Sequence, residues 1–199
     1  MKKFSLIILI FFLTVKISFA NTYNADPKIF VTELVNDAIS KLSDKNISKE
    51  EKALFIEKIA IENVDIDALG LYTLGEIRKT SNEDALKKYK KSFEKYFLKS
   101  LTSRLTDYSS NKFEVISAEK KSSNYTIVKS KVVGGDNQPE IKINWRIFTK
   151  NSEKPLIRDL IVEGLSLART QKEEFASILN SNNNDINKLI EELEKFLKN

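Results

Sequence analysis

The chain has 199 residues, of which 33 are Lys or Arg and 28 are Asp or Glu, and it contains neither Cys nor His. Because both residue types are missing, disulfide scaffolds, cysteine nucleophiles, Ser-His-Asp triads and ordinary zinc sites are excluded. Catalysis by this chain would have to use carboxylates, Lys, Tyr or Ser.

Residues 1–20 have the pattern of a secretory signal peptide. Lys2 and Lys3 precede an apolar stretch that runs from Phe4 to Val15, and residues 18–20 place small side chains before a cleavage point. The apolar stretch is too short to span a membrane. We therefore expect cleavage after Ala20 and a soluble, exported product.

The remainder of the chain, residues 21–199, is predicted to form one domain of 179 residues. The signal segment carries three lysines and no acidic residue. The mature chain therefore has 30 basic and 28 acidic residues, a net charge of +2. This near balance removes the main support for nucleic-acid binding.

Three helices are predicted in the first half of the mature chain. Asp26 and Pro27 form an N-cap followed by proline, which predicts a helix to about Ser43. Ser48 and Glu51 form a capping box for the second helix. Asp65 opens a short third helix that ends at Gly75.

The longest helix is predicted to start at the Thr80–Glu83 capping box and to run to about Tyr108, roughly 40 Å at 1.5 Å per residue. Its apolar stripe has helical spacing and consists of Leu86, Tyr89, Phe93, Tyr96, Phe97, Leu101, Leu105 and Tyr108. The stripe predicts either the lining of an apolar pocket or a core helix that covers a sheet.

After the long helix the apolar period changes to two. Four strands are predicted, at residues 113–121, 125–133, 141–150 and 156–167. Their short links imply an antiparallel meander. Two helices close the chain, the first from the Thr170–Glu173 capping box to Leu179 and the second from about Asp185 to Leu197.

Helices followed by a meander predict an α+β fold. We expect the N-terminal helices and the long helix to pack on a curved four-stranded antiparallel sheet, in a cone of the nuclear-transport-factor-2 type, closed by the two C-terminal helices. Such a cone can leave a hollow between the long helix and the sheet.

The junction around residue 160 has two interpretations. Asp159 and Glu163 could be an acid–base pair with shifted pKa values, or alternation could send them to the solvated side of the strand or into an ion pair with a neighbouring strand. Gly164 marks either a close approach of a ligand to the backbone or a bend where the strand passes into a helix.

Several segments together resemble the MlaC-type family, the periplasmic phospholipid-binding proteins of the toluene-tolerance and outer-membrane lipid-asymmetry system. These segments are "DIDALGLYTLGEIRK" from Asp65, "VEGLSL" from Val162, "TQKEEFASIL" from Thr170 and "INKLIEELEKF" from Ile186. The chain departs from the family pattern at Ile77, Leu101 and Lys172, where the family tends to have Trp, Tyr and Arg, and the run from Ser181 to Asp185 replaces a Gly.

The resemblance implies a carrier that holds phospholipid tails between helices and sheet and is not an enzyme. Acyl chains are implied to contact apolar residues of the early helices (Ile59, Leu69, Leu74), of the long helix (Leu86, Tyr89, Phe93, Phe97, Leu101, Leu105) and of the sheet (Ile116, Ile127, Ile143, Trp145, Ile147, Val162). No cofactor or metal is implied, only bound phospholipid as cargo.

The resemblance also implies partners and a location. The expected partners are an inner-membrane ABC transporter with a lipid-binding ring and an outer-membrane lipoprotein–porin complex, both contacted transiently by a periplasmic monomer. Two alternatives stay open. An exported enzyme on the same fold would use Asp159 and Glu163 in one polar cleft, and a ligand-free envelope adaptor would have a close-packed interior.

Overall fold

Helices precede strands along the chain, as the sequence predicts. The computed structural model describes residues 23–106, 112–133 and 139–198. The predicted signal peptide and Tyr108 lie outside these residues. The helices of the first half are α1 (Pro27–Ser43), α2 (Lys49–Asn63), α3 (Ile66–Thr73), a 3-10 helix (Gly75–Lys79) and α4 (Glu83–Leu105).

The first three helices begin at the predicted caps. The Asp26 carboxylate accepts hydrogen bonds from two backbone N–H groups of the first turn of α1. Ser48 and Glu51 form the reciprocal capping box of α2, and Asp65 accepts a hydrogen bond from the N–H of Ala68. Each cap satisfies backbone donors that a helix start leaves without partners.

Two other predicted helix starts are wrong. Asn82, not Thr80, caps α4 by accepting from the N–H of Ala85, because Thr80 ends the preceding 3-10 helix. The 23 residues of α4 therefore span about 35 Å. Helix α5 (Leu167–Asn180) starts before Thr170, since Ser166 is its N-cap. Helix α6 (Ile186–Lys198) follows.

The sheet is an antiparallel meander with five strands in chain order. The strands are β1 (Lys112–Ser122), β2 (Tyr125–Val133), β3 (Ile141–Phe148), β4 (Leu156–Val162) and β5 (Leu165–Ser166). The predicted fourth strand is divided in two because Glu163 and Gly164 both have positive φ, 48° and 85°. Two such residues form the tight turn that suits a hairpin, and Val162 pairs with Leu165 across it.

The buried apolar residues form two clusters that share no member. The helical cluster consists of Leu74, Ala85, Tyr89, Phe93, Phe175, Leu179, Ile186, Leu189, Ile190 and Leu193. The sheet cluster consists of Phe30, Val31, Leu34, Val128, Trp145, Ile147 and Ile157. Helix α4 packs chiefly on α6, with further contacts to α2 and α3, whereas α1 packs on β1 and β2. The predicted α+β class, with helices packed on an antiparallel sheet, is confirmed.

Both faces of the sheet meet helices. Trp145 belongs to the sheet cluster under α1, so alternation along β3 sends Arg146 to the opposite face. Arg146 pairs with Asp159 of β4, and Asp159 accepts a hydrogen bond from the first turn of α5. Helices α3 and α5 both contact β4. The helical cluster is therefore joined to the sheet on the side away from α1.

Candidate functional site

Six of the residues predicted to contact a ligand lie together in the helical cluster or against it. Leu74, Tyr89 and Phe93 are members, and Leu69, Leu86 and Phe97 pack on them. The ring of Phe93 lies 5.9 Å from that of Tyr89 and 6.2 Å from that of Phe97, between ring centroids. Spacing by three and four residues along α4 accounts for this grouping.

The one polar atom in this aromatic group has partners. The Tyr89 hydroxyl lies 3.0 Å from the Thr73 hydroxyl and donates to the Gly70 carbonyl at 3.1 Å. Burial raises the pKa of Tyr89 above its ordinary value, since the phenolate would lose its hydration. The cluster therefore presents a neutral, apolar interior with its hydroxyl groups satisfied.

Four more predicted residues form part of the sheet core. Trp145 and Ile147 are members of the sheet cluster, and Ile59 and Ile143 pack against it. The indole N–H of Trp145 donates to the Ser130 hydroxyl at 2.9 Å, and that hydroxyl donates to the Ile143 carbonyl at 2.9 Å. Ile143, Trp145 and Ile147 are fixed by the strand ladder as well as by packing, whereas Ile59 lies on α2.

The remaining five predicted residues belong to neither cluster. Ile116 is 52% exposed and lies at an irregularity in the pairing of β1, and Ile127 faces away from the sheet cluster because its neighbour Val128 faces into it. Val162 is half-buried at the end of β4. Leu101 and Leu105 lie along α4 beyond the end of α6, which meets Lys99. The structure therefore divides the predicted set instead of gathering it around one cavity.

The junction near residue 160 is structural. Asp159 is buried and accepts hydrogen bonds from the Ser166 hydroxyl at 2.7 Å and from the Ala168 N–H at 3.0 Å. Glu163 is exposed in the β4–β5 turn, where its carboxylate accepts a hydrogen bond from the Lys142 N–H. The two carboxylates do not line a common cleft, so the acid–base arrangement that the enzyme hypothesis requires is not formed.

Arg158 ties β4 to α3 and to β2. Its guanidinium donates to the Asp65 carboxylate, with nitrogen–oxygen distances of 2.8 and 2.6 Å, and to the Tyr125 hydroxyl at 2.7 Å. It also lies 3.4 Å from the centroid of the Phe148 ring. A planar guanidinium can stack on a ring and donate two N–H groups to one carboxylate, whereas an ammonium cannot stack in this way.

A cleft of about 330 Å³ opens beside Arg158, and we call it the arginine cleft. Its lining residues are Ala68, Leu69, Leu71, Tyr72, Arg78, Tyr125, Arg146, Arg158 and Ala168. A second cleft of about 270 Å³ lies over β2 and β3 beside the Glu163–Gly164 turn, and Lys129, Ser130, Lys142 and Asn144 line it. Both volumes fall near the lower limit of about 300 Å³ for ligand pockets, and both clefts are open to solvent.

Sequence reasoning missed the arginine cleft. Its residues come from six separated stretches of chain, and only Tyr125, Arg146 and Arg158 lie on strands. No group of three or more carboxylates within the described residues could hold a metal ion. The same residues contain no helix that is long and apolar enough to cross a membrane.

Comparison with known proteins bears on the fold and the family. The family model for MlaC protein matches residues 32–195. A phospholipid-binding protein from Ralstonia solanacearum, solved in complex with a phospholipid, is similar in structure, with a TM-score of 0.70 and 14% sequence identity over 88% of this chain and 97% of that one. A search of curated proteins gives no match. Because the family model covers most of the sequence, this chain belongs to the MlaC family.

Proposed function

We propose that this chain is a soluble periplasmic phospholipid carrier. It binds the acyl chains of a phospholipid by apolar contacts and shuttles the lipid between an outer-membrane lipoprotein–porin complex and an inner-membrane ABC transporter with a lipid-binding ring. The observation that carries the proposal is the match to the MlaC family over residues 32–195. The fold shared with the phospholipid-bound Ralstonia protein supports it.

The helical cluster is the part best suited to acyl chains. Burial of one CH₂ group is worth about 0.8 kcal/mol, so contact with apolar side chains is sufficient and no charged group is needed inside. Residues of α4, α5 and α6, together with Leu74 between α3 and the 3-10 helix, form this cluster, and none of its members is charged. We propose Leu69, Leu74, Leu86, Tyr89, Phe93 and Phe97 as the first acyl-chain contacts. The other nine predicted residues are outside this first set, since four of them belong to the sheet core and five to neither cluster.

Loading requires the helices to move. The arginine cleft has a volume of about 330 Å³, at the lower end of the range for pockets that hold a drug-sized molecule. Leu69 lines that cleft and also packs on the helical cluster. We expect α3 to shift from α4 when lipid enters, because packed helices slide past one another at little cost compared with breaking a strand ladder.

No reaction is part of this function, and the protein acts without cofactor as a monomer. The signal-peptide pattern of residues 1–20 supports export, and cleavage after Ala20 would release the mature chain into the periplasm. Contacts with the two membrane complexes are transient, because a shuttle must leave each of them.

Native mass spectrometry of the mature protein purified from a periplasmic extract tests the proposal directly. We expect a stoichiometric adduct of phospholipid mass, which solvent extraction then identifies. A mass equal to that of the mature chain alone, unchanged after incubation with phospholipid vesicles, would contradict the carrier. It would instead favour the ligand-free adaptor, for which the small clefts are sufficient.

Charged substitutions test which residues contact the cargo. We expect Phe97→Asp to lower lipid retention by more than the loss of folding stability explains, because a carboxylate beside an acyl chain is unpaired and desolvated. Leu54→Asp is the matched control, since Leu54 is 66% exposed on α2. Retention should be read from the adduct in native spectra of samples shown to be folded by circular dichroism. A Phe97→Asp variant that stays folded and fully loaded would refute the proposed contact.

A further inference from the structure

The arginine cleft has a polar floor and an apolar wall. Tyr125 and Arg146 project from the face of the sheet opposite the sheet cluster. The wall is formed by α3 and by the first turn of α5, and Arg78 of the 3-10 helix lies at the rim. Three arginines therefore line one opening together with apolar residues of α3 and α5.

Two of these guanidinium groups have donors to spare. Among the described residues, the contact of Arg146 is an ion pair with Asp159 at 3.7 Å, which is longer than a hydrogen bond. Both carboxylate oxygens of Asp159 already accept hydrogen bonds from Ser166 and Ala168. Arg78 donates one N–H to the Gly75 carbonyl. Each guanidinium carries five N–H donors, so most of those of Arg78 and Arg146 are available to a ligand.

Arg158 plays a different part. Its donors bind Asp65 and Tyr125, and its plane lies on Phe148. It therefore fixes the position of the Tyr125 hydroxyl at the cleft. The three arginines outweigh the two carboxylates bound to them, Asp65 and Asp159, so the cleft has a net positive charge.

A phosphate group is the ligand that this arrangement recognises. Guanidinium groups bind phosphate oxygens through pairs of charge-assisted hydrogen bonds. Leu69 joins the cleft to the helical cluster, so a phosphate held at the arginines has an apolar region directly beside it. We propose that Arg78 and Arg146 bind the phosphate of the phospholipid headgroup, with Arg158 as a positioning residue. This inference rests on the proposed function, because it assigns the headgroup site of the same cargo.

The test compares three ligands in titrations of the mature chain. They are dihexanoylphosphatidylglycerol below its micelle concentration, dihexanoylglycerol with the same acyl chains and no phosphate, and inorganic phosphate. We expect Arg78→Gln and Arg146→Gln each to weaken phospholipid binding about tenfold, which corresponds to about 1.4 kcal/mol, and to leave dihexanoylglycerol binding unchanged. Lys88→Gln, which removes the same charge from an exposed position of α4, should bind all three ligands as the wild type does.

A charge-conserving variant controls for misfolding of the neutral variants. Arg146→Lys keeps a positive charge beside buried Asp159 but loses the paired donors, so it should fold as the wild type does and bind the phospholipid with intermediate affinity. Thermal unfolding of each variant verifies the fold before titration. If Arg146→Gln does not fold, Arg78→Gln and Arg146→Lys still decide the question.

Each other outcome would refute the headgroup site, and two of them would also refute the carrier function. Equal phospholipid affinity in the wild type and the arginine variants would refute the headgroup site and leave the carrier function standing. Binding of inorganic phosphate alone, lost in the arginine variants, would show a site for free phosphate and refute both the lipid source and the carrier. Absence of binding for all three ligands would also refute both.

Discussion

The helical cluster and the sheet cluster are both buried, yet they are held by different forces. Trp145 and Ile147 lie on a strand whose backbone is hydrogen-bonded on both sides, to β2 and to β4. Tyr89 and Phe93 lie on a helix whose backbone hydrogen bonds are internal. Side-chain packing and side-chain hydrogen bonds, such as that of the Tyr89 hydroxyl to the Gly70 carbonyl, join it to α3, α5 and α6. A helix can therefore shift without losing backbone hydrogen bonds, which a central strand cannot. This difference is the reason why we propose ligand uptake by the helical cluster and a scaffolding role for the sheet cluster.

Truncating one large side chain in each cluster tests whether the two clusters have different roles in lipid binding. Phe93 and Ile147 are both at most 2% exposed. We expect Phe93→Ala to lower the free energy of unfolding by about 3–5 kcal/mol and Ile147→Ala by about 2–5 kcal/mol, measured by urea denaturation. Lipid retention in the folded protein should fall in Phe93→Ala and persist in Ile147→Ala. The reverse pattern would transfer the binding role to the sheet.

Filling the space between α3 and α4 is expected to have the next largest effect. A Cβ atom at Gly70 would lie 2.8 Å from Cδ1 of Phe93, which is closer than carbon atoms pack. Gly70→Val should therefore cost about 1–3 kcal/mol of stability through overpacking, measured by thermal unfolding. It should also reduce lipid loading, because the same contact would have to open. Normal stability together with normal loading would contradict the tight packing of α3 on α4.

Gly164 in the β4–β5 turn is needed for its backbone conformation, not for the space it leaves. Gly164 has a φ of 85°, and a Cβ atom there would meet no other atom within 4 Å. Gly164→Ala should cost about 1–2 kcal/mol, the cost of the left-handed conformation in an L-residue, and leave lipid binding unchanged. Gly164→Asn is the control, because Asn tolerates this conformation and should restore most of the loss. An effect on lipid binding would mean that the β4–β5 turn contacts the cargo.

The smallest expected effect is that of alkaline pH on the buried Tyr89 of the helical cluster. Because burial raises the pKa of Tyr89 above its ordinary value of 10, its stabilising contribution is fully present below pH 10 and is lost as the pH rises further, by up to about 1.4 kcal/mol per pH unit. Tyr89→Phe should cost about 1 kcal/mol at neutral pH for the lost hydrogen bonds and should decline less steeply above pH 10. Parallel curves for the wild type and the variant would show that Tyr89 ionises freely in the folded protein.

Local patterns in the sequence predict most of the elements. Alternation in Ile141–Phe148 identifies β3, and the carboxylate and hydroxyl caps at Asp26 and Ser48 identify two helix starts. The capping boxes predicted at Thr80 and Thr170 are wrong because the helices start elsewhere. Asn82 accepts from the Ala85 N–H and Ser166 from the Arg169 N–H. The sequence does not predict the turn at Glu163, since Glu rarely adopts a positive φ.

The candidate site is less visible in the sequence than the fold. The spacing of Leu86, Tyr89, Phe93 and Phe97 along one helix face predicts their grouping, because that grouping depends on a single helix. The arginine cleft depends on contacts between residues far apart in the chain, such as Asp65 with Arg158 and Arg146 with Asp159 across two strands. No local pattern records such contacts, so Arg78 and Arg146 could not be singled out in advance.

The placement of Trp145 has a practical consequence. It is the only tryptophan of the chain, it is 8% exposed, and it donates a hydrogen bond to Ser130 inside the sheet cluster. Selective excitation of tryptophan therefore reports on the sheet alone, whereas tyrosine signals include Tyr89 and Tyr96 beside the helical cluster. A titration that leaves tryptophan emission constant would therefore register an unchanged sheet cluster with no added label, whereas a tyrosine change would combine the helices with Tyr23 and Tyr125.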